Sequence, residues 1–351
     1  MELRFNRLLV NIKGESHSPS LEIEMHGFPE GEKISKAELQ RFMDRRHGDD
    51  GYISELCGTG RREADEVVFD SGLNAGNPMD EETVGITDSD ILCHIDNKDV
   101  RSNDYDKLRT VLRPGHADLG AYLKYGKEGL KPGGGEFSGR MTAAYCVAGG
   151  IAKQILAARG ITIESYVLQM GGMETAFLDE EDEEEFFNRL EAIKESGDSC
   201  GGIVGCIIKG MPGGIGGPGM DGLEGDFARA MLAIPSAKGI EFGSGFEGSY
   251  STGAANNDDY YLQGDRIVAK TNRQGGISGG ISTGMNITMN VAFKPVPSIA
   301  ISQRTVDIET MQETTVETTG RHDFCIIPRV LPVVEAMAAL VVLDRLETEN
   351  E

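Results

Sequence analysis

Glycine divides this sequence into short pieces. Its 47 copies gather in clusters, among them PGGGEFSGR at 132–140, GGIVGCIIKGMPGGIGGPG at 201–219 and GGISGGISTG at 275–284, spread along the chain. Glycine adopts backbone conformations closed to other residues and weakens the interior of helices and strands, so such clusters mark loops. A chain punctuated in this way reads as short helices and strands joined by loops long enough to carry function. The fold class expected is α+β (mixed α/β). No repeat, linker or low-complexity boundary divides it. Residues 1–351 therefore read as a single domain, with two domains the less economical alternative.

Between the loops the patterns are regular. Residues 5–12 predict an opening strand, and SKAELQRFMDRR (35–46) a helix with Ser35 as its N-cap. EVVFDSG predicts a short strand. MTAAYCVAGGIAKQILAARG predicts a long helix closed by Gly160, and residues 161–169 a strand after it. The run LDEEDEEEFFNRLEAIKESG predicts an acidic surface helix whose Phe186, Phe187, Leu190 and Ile193 share an inner face. Ile287, Met289, Val291 and Phe293 alternate as one strand face, and Ile299 and Ile301 resume the alternation after a Pro-containing turn. The expectation there is an antiparallel hairpin with Lys294 at its tip. A final helix is expected over about 330–347, with Pro332 in its first turn.

The net charge is −23, which repels nucleic acid and anionic membranes. An anionic ligand would need arginines gathered locally against that field. Six cysteines, at 57, 93, 146, 200, 206 and 325, form no CxxC pair, so free thiols in a reducing compartment are expected. The N-terminal MELRFNRLLVNIKGESH lacks the apolar run of a signal peptide, and VVEAMAALVVL at 333–343 is too short to span a bilayer. These features predict a cytoplasmic protein.

Three histidines, His17 in GESHS, His116 in RPGHAD and His322 in GRHDFC, each follow a glycine closely in a loop beside a carboxylate. Histidine titrates nearest neutrality, so these are candidate proton donors or acceptors. His26, His47 and His94 lack that setting and read as structural or surface residues. Arg45–Arg46, Arg61–Arg62, Arg113, Arg140 and Arg321 sit near glycine-containing loops, and guanidinium forks bind carboxylate and phosphate. GGGEFSGR leads into a helix, whose first N–H groups favour anions, but no GK[ST] follows and the spacing is not that of a dinucleotide fingerprint. GGISGGISTG could bring backbone close to a flat ligand or simply join strands. No ligand spacing supports a metal site. The stretch TTGRHDFC (318–325) allows two readings, an ion pair closing a turn or a catalytic aspartate beside an anion-binding arginine.

Taken in order, GESH, DRR, RREADEVVFDSG, RPGHAD, GEFSGRMT, AKGIEFGSGF, GGISGGISTG, KPVPS and GRHDFC resemble the chorismate synthase family from about residue 10 to residue 346. The resemblance implies a β-α-β sandwich, usually a homotetramer. It implies a carbon–oxygen lyase that removes phosphate from 5-enolpyruvylshikimate 3-phosphate by 1,4-anti elimination to give chorismate, the last step of the shikimate pathway. It brings reduced FMN as cofactor and NADP as an associated nucleotide. No reductase domain is added here, so reduced flavin would come from an external flavin reductase or another supply.

Residue by residue, the resemblance implies His17, His116 and Asp323 as catalytic and Arg46, Arg113, Arg140 and Arg321 as anion-binding. Ser138, Ser236, Gly279, Lys294, Ser298 and Arg321 fall in its FMN-holding segments. The chain departs from the family pattern at Ser18, His47, Glu136, Phe137 and Pro235, and Arg61 or Arg62 would replace a family arginine. The rival reading is a non-catalytic flavin- or anion-binding paralogue of the same fold.

Overall fold

The strand SLEIEMH shows how the first layer forms. Leu21, Ile23 and Met25 alternate with polar residues, so one face is apolar and must be covered. The computed structural model describes residues 1–48, 57, 65–74, 83–87, 90–97, 110–175, 180–317 and 323–349. Strands β1 (Glu2–Arg4), β2 (Leu9–Lys13), β3 (Ser20–His26), β5 (Val67–Ser71) and β7 (Ile91–Asp96) form an antiparallel sheet in the order β1-β2-β3-β7-β5. Beside it β4 (Lys33–Ser35) pairs with β6 (Thr83–Gly85).

A second antiparallel sheet contains β8 (Thr162–Met170), β9 (Met173–Glu174), β10 (Gly202–Lys209), β11 (Ala237–Phe242) and β16 (Ile287–Phe293), ordered β11-β16-β10-β8-β9. Three hairpins stand apart. These are β12 (Tyr260–Gln263) with β13 (Arg266–Ala269), β14 (Ile277–Ser278) with β15 (Ile281–Ser282), and β17 (Gln303–Asp307) with β18 (Gln312–Val316).

Helices of two turns or more are α1 (Lys36–Asp44), α2 (Asp118–Tyr125), α3 (Thr142–Ala158), α4 (Glu180–Glu195), α5 (Leu223–Leu232) and α6 (Ile327–Glu349). In α3 every residue from Thr142 to Ala152 is buried, and in α6 every residue from Pro332 to Leu346. A helix apolar on all sides has to be enclosed on all sides. Accordingly α3 packs on α6 and touches β3 of one sheet and β8 of the other, while α6 packs on β8 and β10. The mixed helix-and-sheet class expected from the sequence is the class observed.

The two buried helices approach so closely that a Cβ on Gly149 would collide with the backbone of Ala336. Their few charges are fully engaged. Glu335 accepts from both terminal nitrogens of Arg45 at 2.8 Å, from the Lys153 ammonium, and from Ser165 N and Oγ at 3.1 and 2.9 Å. Burial alone would raise the Glu335 carboxyl, but Arg45 and Lys153 outweigh it and hold it below the usual carboxylate range. Asp344 accepts from the backbone amides of Asn6, Arg7 and Leu8 at 3.0, 2.7 and 2.8 Å, and so clamps the β1–β2 turn.

That clamp explains one departure from the expected elements. The opening strand is broken at residues 5–8, where the chain turns to meet Asp344, leaving β1 and β2 as separate strands. Ser35 caps α1 as expected, accepting from Glu38 N at 3.2 Å. The C-terminal helix starts a turn earlier than expected, at Ile327, so Pro332 lies beyond its first turn.

The hairpin expected around Lys294 does not form. β16 pairs with β10 and β11 instead, and beyond Phe293 the chain runs irregularly to Gln303. Pro295 and Pro297 lack the amides a strand would need there. Ala300 N bonds to Gly197 O at 2.9 Å, which carries the segment away from β16.

Candidate active site

Most of the loops that carried the histidine and arginine motifs meet at one cleft of about 610 Å³. Its walls come from the 16–17 loop, the 46–47 turn after α1, the 113–118 and 129–142 segments, residues 234–236 and 296–298, and the start of α6. His17, Arg46, Arg113, His116, Ser138, Arg140, Ser236, Ser298 and Asp323 all line it.

The GESH loop is a tight turn held by its own serine. Ser18 Oγ accepts from Glu15 N at 2.9 Å and donates towards Ser20 O at 2.6 Å. The glycine loop closes over it, with Ser16 Oγ donating to the carbonyls of Pro132 and Gly133 at 3.3 Å and Lys131 paired with Glu15. Gly133 has φ +62°, and a Cβ there would stand 2.6 Å from His17 Nε2. Only glycine lets this backbone lie flat against the imidazole.

At the base of the cleft, two guanidinium groups share one carboxylate. Arg46 and Arg140 each pair with a different oxygen of Asp65, which is 5% exposed. Arg46 also donates to Thr142 Oγ1 at 3.2 Å, at the N-terminus of α3. Arg140 Nε donates to Asn97 Oδ1 at 2.9 Å, and Asn97 Nδ2 in turn donates to Ser18 O at 2.7 Å. Burial would raise the Asp65 carboxyl, but the two arginines outweigh it and hold it below the usual range. With two cations on one anion, this corner keeps a net positive charge inside a strongly acidic protein.

Arg113 is fixed by its own motif. Its Nε and Nη2 donate to Asp118 Oδ2 and Oδ1, both at 2.8 Å, while its backbone N donates to Oδ2 at 3.0 Å. Between them sits His116, whose Nδ1 lies 3.1 Å from Pro114 O and Nε2 2.9 Å from Ser298 Oγ. A carbonyl only accepts, so the ring proton of the neutral imidazole belongs on Nδ1, and Nε2 accepts from the serine hydroxyl. Burial, with the nearby Arg113 charge, pushes His116 down to about 4. Lys294 donates to Gly115 O in the same loop, outside the cleft lining.

Asp323 pairs with Arg329 on the first turn of α6, and Arg329 Nε donates to Arg46 O at 2.9 Å. Part of TTGRHDFC therefore does form an ion pair, with a partner the motif does not contain. Arg321, His322, Arg61 and Arg62 lie outside the described residues. Gly279 sits at the β14–β15 turn and is not among the residues lining the cleft.

Two other histidines are surface partners, His26 with Asp90 at 2.6 Å and His94 with Asp70 at 2.9 Å. His47, expected to be structural or at the surface, lines the cleft instead. Phe137 and Pro235 also line it, and Ser236 holds a left-handed φ of 72°, rare for a residue with a side chain. Sequence reading missed Asp65 and Asn97, whose partners are remote in the chain, and Arg329, which lies beyond the motif that holds its partner Asp323. Asp118 stood inside RPGHAD, and its spacing from Arg113 was the available signal. All six cysteines are buried and free.

A family model described as Chorismate synthase matches residues 8–346. A protein named Chorismate synthase from Thermococcus kodakarensis is 37% identical over 357 residues, covering 98% of this chain and 97% of that one. One of the same name from Dehalococcoides mccartyi is 38% identical over 348 residues, covering 94% and 92%. A solved structure titled Crystal Structure of Chorismate Synthase superposes with a TM-score of 0.74, covering 99% of this chain and 93% of that one. At 24% identity it supports the fold.

Proposed function

Because the chain belongs to the chorismate synthase family, we propose that it converts 5-enolpyruvylshikimate 3-phosphate into chorismate and inorganic phosphate with the help of reduced FMN. The observation that carries this reading is the convergence of His17, His116 and Asp323 with Arg46, Arg113 and Arg140 on one cleft. The substrate is a small molecule bearing carboxylates and a phosphate. Guanidinium groups offer both kinds of anion planar pairs of donors.

The residues present also fit a flavin. Ile234, Pro235, Val296, Pro297, Val330 and Val333 give the cleft an apolar wall on which a flat ring can lie. Arg46 Nε is buried with no partner among the described residues. Ser138, Ser236 and Ser298 line the cleft and would hold the cofactor, with Lys294 on the loop behind His116. Reduced FMN, when bound, supplies an electron transiently and recovers it, so the reaction has no net redox change.

The chain's own groups do the rest. Arg46, Arg113 and Arg140 bind and orient the substrate anions. His17 donates a proton to the departing phosphate oxygen as the C3–O bond breaks. Asp323 carries away the C6 proton as the new double bond forms. His116, neutral with Nε2 able to accept, exchanges a proton at the cofactor side of the cleft. The enzyme is thus a carbon–oxygen lyase, supplied with reduced flavin from outside the chain. The proposal includes assembly as a homotetramer, in which the exposed apolar β12–β13 hairpin, with Tyr260, Tyr261, Leu262 and Ile267, is a surface for another copy to cover.

The test is anaerobic. Wild-type protein with dithionite-reduced FMN and the enolpyruvyl substrate should produce chorismate absorbance, with none when FMN is left oxidised. Binding of both ligands without turnover would replace this reading with that of a non-catalytic paralogue.

A further inference from the structure

Asp323 has two carboxylate oxygens, and the structure treats them differently. Oδ2 is paired with Arg329 Nη1, while no hydrogen bond from the described residues reaches Oδ1. Asp323 borders the cleft, and its side chain is 17% exposed, so the second oxygen opens towards the ligand space.

The arginine that makes this division is itself fixed at three points. Its Cα lies in the first turn of α6, a helix whose following residues are buried. Its Nε donates to Arg46 O at 2.9 Å, and its Nη1 to Asp323. A planar guanidinium held through two nitrogens cannot turn without breaking one bond. The backbone after Asp323 is held too, since Cys200 N donates to Phe324 O at 2.9 Å.

We propose that Arg329 is a positioning residue. It holds Asp323 by one oxygen so that the other is presented to the proton removed from the substrate, and it ties that base to the turn carrying Arg46. The inference rests on the function proposed above. Arg329 borders the cleft, but its two observed bonds go to protein groups, so its effect on turnover should pass through Asp323.

A double-mutant cycle tests this, using wild type, Arg329→Ala, Asp323→Asn and the pair. Each is assayed anaerobically with reduced FMN, and its fold is checked by circular dichroism. Arg329→Ala should lower kcat by about 10²-fold while substrate affinity stays within about threefold, because a base misplaced by an ångström loses rate rather than binding. In the Asp323→Asn background the same change should cost nothing further. Added guanidinium ion should recover part of the lost turnover in Arg329→Ala and none in the pair.

Equal losses in both backgrounds, normal turnover of Arg329→Ala, or no guanidinium rescue would each overturn the proposal. Should Arg329→Ala fail to fold, Arg329→Lys takes its place in the cycle, keeping the charge and losing the fork. It should then show a smaller kcat loss that vanishes beside Asp323→Asn, and an undiminished loss would overturn the proposal. The underlying function fails separately. An inactive wild type would remove the reaction, and a fully active Asp323→Asn would remove the base on which Arg329 acts.

Discussion

His116 carries the most specific claim at the scale of a single residue. Its folded pKa of about 4 lies below the ordinary value of about 6.5. Below about pH 6.5 the unfolded chain therefore takes up a proton that the folded one refuses, and stability falls as pH drops towards 4. A ring-nitrogen NMR titration should show His116 neutral at pH 6, and a midpoint above 6 would disprove the assignment. His17→Ala and His116→Ala should each lower turnover by about 10²–10⁴-fold with the fold intact. Turnover within a factor of two for either would return that residue to a structural role. Asp65→Asn should instead destabilise the fold by about 3–5 kcal/mol, because it leaves two buried guanidinium groups sharing no anion. Urea denaturation measures this, and an unchanged midpoint would refute it. His17, His116, Arg46, Arg113 and Arg140 were legible because each stood in a motif. Asp65 stood in RREADEVVFDSG as well, but nothing local marks it as the carboxylate that neutralises two distant arginines.

The same division holds for elements. Short strands with period-two burial and the Ser35 cap could be read directly, since burial on one face and a lone hydroxyl before a helix are local signals. The segment after Phe293 could not. Ile299 and Ile301 alternate like a strand, but pairing depends on which backbone lies alongside, and here Gly197 claims Ala300. Nor could the contact of α3 with α6 be read, since Gly149 looks like any other helical glycine until Ala336 is seen against it. Gly149→Val should cost at least about 1–3 kcal/mol of stability, the usual penalty for forcing volume into a packed interior. Thermal unfolding would show it, and a melting temperature equal to wild type would mean the helices can separate freely.

For the whole molecule, charge and connectivity matter most. A net charge of −23 surrounds a cleft with a positive corner. At low salt the field of the whole surface reaches far, with a screening length of about 30 Å at 0.01 M against about 10 Å at 0.1 M. Association of an anionic substrate should therefore speed up as salt rises through this range, the reverse of ordinary steering, before the local attraction is screened in turn. Stopped-flow measurement at several salt concentrations would decide, and a rate falling from the lowest salt onward would contradict it. Connectivity brings a different consequence. Asp344 binds the amides of Asn6, Arg7 and Leu8 across more than three hundred residues of chain. During synthesis, those amides emerge early and their acceptor near the end. The first turn of the first sheet therefore waits in water for nearly the whole of translation, until the helix that carries its acceptor has been made. The growing chain is exposed to mispairing for most of its manufacture, and its dependence on chaperones should be set by the time needed to make the helix that arrives last.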